Sequence, residues 1–126
     1  MTKAIERKIV NGFVLERRRE RAMFELSSPR KREHFMRHIE SFLNPACIHQ
    51  VKAYDIEHVY PILKERGAPD DCYVLSLMEE HDGRIVPLKQ VMTEDGYQGT
   101  VLVSCIHGKL AYMLGEYYEH FLIISD

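Results

Sequence analysis

The 126-residue chain is 45% apolar and 29% charged, with 7 Tyr, 5 Phe and no Trp. This composition suits one globular domain that buries a core without a metal or disulfide staple. Its apolar runs, at residues 101–103, 105–106 and 121–124, are strand-length and exclude a membrane span, and the early charges Lys3, Glu6, Arg7 and Lys8 exclude a signal-peptide core. The net charge of −2 hides a segregation: residues 1–43 hold 11 Lys+Arg against 6 Asp+Glu, and residues 44–126 hold 6 against 13, a basic front and an acidic back.

Residues 2–26 read as helix with a break at Asn11-Gly12, because Ile5, Ile9 and Phe13 follow one stripe and Leu15, Ala22 and Leu26 another. Ser27-Ser28-Pro29 punctuates the chain. Ser28 is placed to cap a second helix and Pro29 suits its first position. That helix is expected to reach about Leu43 with Phe35, Ile39, Phe42 and Leu43 buried, and Asn44-Pro45 stops it. The first third is therefore a helical hairpin. Residues 46–54 permit either helix or strand, and Asp55 would cap a helix over about 56–66 that ends at Gly67.

From Cys72 the period changes to two. Residues 72–78 predict a strand apolar on both faces, Asp82-Gly83 a hairpin turn and 84–86 a short strand. Pro87 would open a short helix to about Met92, and 93–99 a loop. A meander follows: a strand over 100–106, a turn at His107-Gly108, a strand over 109–114, a tight Gly115-Glu116 turn and a strand over 117–125. The expected fold class is α+β, with N-terminal helices packed on a mostly antiparallel C-terminal sheet of four to five strands. The expected organisation is a single domain, helical over about 2–66 and sheet over about 71–126.

Two basic groups stand out. Arg17, Arg18, Arg19 and Arg21 lie in the first helical arm, and Arg30, Lys31 and Arg32 in the first turn of the next helix. Cations at a helix N-terminus oppose its dipole. With Ser28 and free N–H groups they would suit an anion, a nucleic acid or an acidic protein. Residues 29–43 could also serve as a recognition helix through Arg30, Lys31, His34, Arg37 and His38, although Glu33 and Glu40 share that sector.

The chemistry-bearing residues are sparse. His34 and His38 have the i,i+4 spacing of a zinc pair, but the Glu of H-E-x-x-H is missing. Cys105 and His107 would share a strand face with Cα atoms about 6.8 Å apart, the arrangement of an activated thiol. Cys72 would stand on a neighbouring strand. The apolar setting of Cys105 equally reads as an inert buried thiol. With Cys47, the three cysteines form no C-x-x-C pair, which points to reduced thiols in a cytoplasmic protein. No phosphate-binding glycine loop or nucleophile elbow is present, and no cofactor is expected.

These observations favour a non-enzymatic protein–protein interaction or regulatory protein, of which toxin-neutralising immunity proteins are one class by analogy. The expected partner is a protein, with a homodimer also compatible and no membrane involved. The first alternative is a nucleic-acid or phosphate binder at the basic corner around Ser28. The second is a small enzyme using Cys105 and His107.

Overall fold

The computed structural model describes residues 2–53, 56–93, 100–115 and 117–125. The helical third contains α1 (Lys3–Phe13), α2 (Arg19–Leu26), α3 (Pro29–Arg37) and α4 (Ile39–Phe42). The expected hairpin is present, with α2 and α3 joined through Ser27-Ser28. Its internal breaks lie elsewhere. Asn11-Gly12 does not interrupt α1, because Gly12 serves a close approach: a Cβ there would stand 2.1 Å from the carbonyl oxygen of Gly108. The helix ends instead at Val14, which is extended and bridges Leu43 in antiparallel fashion. Asn44 N donates to the carbonyl of Phe13, and Leu15 N to that of Phe42, so the ends of α1 and α4 close on each other. The expected 29–43 helix is broken at His38, whose ψ of 19° leaves the helical region.

The ambiguous stretch resolves as a 3-10 turn (Pro45–Cys47) followed by β1 (Ile48–Val51). Asn44 caps the turn, its side chain accepting from Ala46 N at 3.0 Å. Asp55, the expected cap, lies outside the described residues. After a 3-10 turn at Ile56–His58, α5 runs over Val59–Glu65, with Pro61 tolerated in its first turn. Gly67 ends it with φ +94°.

The remaining elements are β2 (Asp71–Ser76), β3 (Arg84–Pro87), α6 (Leu88–Thr93), β4 (Val101–Ile106), β5 (Leu110–Leu114) and β6 (His120–Ile124). Pro87 closes β3 rather than opening α6. Most of the expected 93–99 loop lies outside the described residues. The expected two-residue turn at Gly115-Glu116 is replaced by a longer connection, in which the left-handed residue is Tyr118 (φ 64°) and Tyr118 N donates to the carbonyl of Gly115 at 3.0 Å. Glu116 itself is outside the described residues.

The fold is α+β, and the described residues form one antiparallel sheet of six strands, ordered β1-β6-β5-β4-β2-β3. The strand beyond the expected four to five is β1, from the part expected to be helical. Side-chain alternation sorts the strands into two layers. Tyr73, Leu75, Leu102, Ala111, Met113 and Ile123 pack under α1–α4. Cys72, Val74, Val103, Cys105, Tyr112 and Leu122 pack under α5 and α6. Helices therefore cover both faces of the sheet, which is why the central strands are apolar without alternation. No helix among the described residues is long and apolar enough to cross a membrane.

Candidate functional site

The consecutive cations Arg30, Lys31 and Arg32 part company on α3. Arg32 shares the buried stripe with Phe35, Met36 and Ile39, at i+3, i+4 and i+7, and its side chain is 5% exposed. Its Nε and Nη2 form a fork on Asp82 at 2.9 and 3.1 Å. Its Nη1 donates to Glu6 at 2.9 Å and to the carbonyl of Leu26 at 2.8 Å. Glu6 also accepts from the Tyr73 hydroxyl at 2.7 Å, and Asp82 from Ser76 N at 3.1 Å. Burial alone would lower the Arg32 pKa; the hydrogen bond and charge of Asp82, then those of Glu6, carry it above its ordinary value. Burial and the Glu6 carboxylate push Tyr73 up to about 12. The guanidinium thus stays charged and its charge is met twice over. An arriving anion would compete with two carboxylates already in place, and the cleft beside it, about 110 Å³, carries Glu33 and Glu79 as well.

Arg17, Arg21, Arg30 and Lys31 lie nearer the surface. Arg21 lies over Phe24 with its Cζ 5.2 Å from the ring centroid, and Lys31 Nζ reaches the same ring at 5.4 Å. Phe24 is 52% exposed. Arg30 is exposed beside them and Arg17 projects from the turn before α2. Arg18 lies over the Phe42 ring at 4.1 Å and donates to the carbonyl and hydroxyl of Ser41, so it fastens α4 more than it presents charge. Ser28 occupies the N-cap position of α3, but its side chain makes no capping hydrogen bond.

Glu25 sits between these two regions. Its carboxylate is 1% exposed, yet its partners are exposed: Arg21 at 2.7 Å and His34 at 2.6 Å. Burial would raise its pKa, but the hydrogen bonds and charges of His34 and Arg21 hold it below the ordinary carboxylate value. The His34 and His38 rings lie against each other, tilted by 31°, with centroids 4.3 Å apart. Their Nδ1 atoms are engaged, one by Glu25 and the other by the carbonyl of His34. Among the described residues no group of three or more His, Cys, Asp or Glu is arranged to hold a metal ion.

Cys105 and His107 do not come together. The β4–β5 pairing shifts register between Ser104 and Ile106, so Cys105 is an extra residue and the strict alternation fails there. Cys105 enters the layer under α5 and α6. His107 turns to the opposite face, where its Nδ1 meets Ser104 Oγ at 2.7 Å and its ring meets Tyr73 edge-on. Burial and then Lys8 lower the His107 pKa, which favours the neutral ring beside the Ser104 hydroxyl. Cys72, in contrast, is beside Cys105. Cys72, together with burial, pushes Cys105 well above the ordinary thiol range. A neutral, buried thiol without a base is a slow nucleophile and no catalytic one.

The sequence reading passed over Glu6, Tyr73 and Asp82. A signal existed for Glu6, which lies on the α1 stripe with Ile9, Val10 and Phe13. Asp82 lies 50 residues from Arg32 and carried only its turn signal. No known protein family matches the chain, and neither a curated protein nor a solved structure is significantly similar to it.

Proposed function

We propose that the protein is a non-enzymatic, cytoplasmic interaction protein of regulatory type that holds an acidic protein partner on the outward face of α2 and α3. The observation that carries this reading is Phe24, half exposed between Arg21 and Lys31. A ring left in water with cations along it has the make-up of an interface anchor. The aromatic area gains on desolvation, and the cations meet carboxylates at the rim. Glu16, Glu20, Glu33 and Glu40 stand among these cations. A phosphate backbone would meet those carboxylates at every turn, whereas a patterned protein surface can match both signs.

A tagged pull-down, divided into nuclease-treated and untreated halves, tests the reading. The expected result is a stoichiometric protein that survives nuclease, leaves with rising salt and is lost with Phe24→Ala at unchanged melting temperature. Retention indifferent to Phe24→Ala overturns the site. Loss on nuclease treatment overturns the partner class in favour of nucleic acid. A dimer at low salt by light scattering that Phe24→Ala dissolves would make the partner a second copy of the chain.

A further inference from the structure

Cys72 and Cys105 have no part in the docking face, yet they stand together. The β2–β4 register pairs Val74 with Val103 and Tyr73 with Ser104, and Cys72 and Cys105 are the next residues along these two neighbouring strands. Both side chains belong to the layer under α5 and α6, at 1% and 3% exposure, where the Cys72 thiol faces the carbonyl of Pro69 and the Cys105 thiol that of Val103, and Cys72 together with burial raises the Cys105 pKa. Residues directly opposed on antiparallel strands have Cα atoms about 4.5–5.5 Å apart, within the roughly 4.4–6.8 Å that a disulfide spans. Cys47, the remaining thiol, lies in the other layer with its Sγ against the carbonyl of Gly12, so the sheet separates it from the pair.

We propose that Cys72 and Cys105 are an oxidation site, a dithiol that a peroxide closes into a reversible cross-strand disulfide. One thiol attacks the peroxide O–O bond, becoming a sulfenic acid and releasing water. The second thiol displaces the sulfenic oxygen as a second water, and the S–S bond forms. Two thiols give up two electrons and two protons, and the peroxide is reduced to two waters. The bond would pin β2 to β4 beneath the connection that follows α5. That connection already touches the pair through the Cys72 thiol on the carbonyl of Pro69, and Lys64 ties it back to α5 through Asp70 at 2.8 Å and the carbonyl of Ala68 at 3.0 Å. Burial makes the reaction slow, so the pair answers sustained oxidant rather than a brief pulse.

The folded protein is treated with hydrogen peroxide beside a glutathione control, then denatured, alkylated and mapped without reductant. Cleavage after Arg84 and Lys89 separates the two cysteines. The expected product has lost two hydrogen atoms and joins the Cys72 and Cys105 peptides, with Cys47 alkylated. Dithiothreitol reverses it, and its melting temperature is higher by about 5 °C. Both thiols still alkylated once the control is consumed, a linkage through Cys47 or between chains, or sulfinic acid on either thiol overturns the proposal. The wild-type map decides alone. Cys47→Ala leaves the pair intact and must still close it; failure of that variant to do so, while folded, also overturns it.

Discussion

Arg32 and Lys31 are neighbours in sequence and opposites in the fold. Arg32 points into the seam between α1, α3 and the β2–β3 turn, where all three of its nitrogens are engaged. Lys31, one residue and about 100° away around the helix, lies over an exposed ring. The difference shows that a basic run is not one feature. Helical rotation assigns its members to different tasks, one cation to internal cohesion and the others to the surface. A charge count alone cannot separate them.

The sharpest way to break this comparison is Arg32→Met. It removes the buried cation and leaves Glu6 and Asp82 uncompensated, and it should cost about 3–5 kcal/mol in urea unfolding. A loss under 1 kcal/mol would place Arg32 with the surface cations. Glu25→Gln tests the boundary between the regions and should cost about 1–2 kcal/mol at neutral pH. Because the folded pKa of Glu25 is depressed, its contribution is complete above the unfolded value of 4.5 and is lost as pH falls below it. Unfolding measured between pH 6 and 3 should therefore fall more steeply for wild type than for the variant. His107 has the same sign by a different route. Its folded pKa is lowered from 6.5, so the stability tied to its neutral form is present above that value and declines as pH falls through it. His107→Gln, which keeps a polar but non-titrating partner for Ser104, should flatten this limb. Smallest of all, Arg30→Gln with Lys31→Gln should move stability by less than about 0.5 kcal/mol, with a slight gain from relief at the α3 N-terminus. A large loss there would mean that the outward cations are structural after all.

The strands were legible because four of them are apolar on both faces, a pattern that turn chemistry bounded well at Gly83 and Gly108. Less legible was what covers them: the same doubly apolar pattern implied helices on both sides, and only one helical layer was expected. Strand β1 escaped because four residues, half of them exposed, carry too little periodicity. Asn11-Gly12 misled because the role of Gly12 is set by Gly108, nearly a hundred residues away, and not by its neighbours. The Cys105–His107 pairing failed on a single inserted residue, since a bulge reverses every facing assignment beyond it. Arg32 could have been placed by counting from Phe35, Met36 and Ile39, but the carboxylates that receive it come from distant segments.

The uninterrupted passage of α1 through Asn11-Gly12 also bears on how this chain ages. An Asn-Gly pair in open chain is prone to deamidate, because the glycine nitrogen attacks the asparagine side-chain carbonyl to close a succinimide. Held in helix, with Gly12 pressed on Gly108, the backbone has little freedom to reach the geometry of that attack. Damage is then expected to accrue mainly during excursions in which the end of α1 melts. Isoaspartate at residue 11 becomes a cumulative record of time spent open, readable long after the excursions themselves have ended.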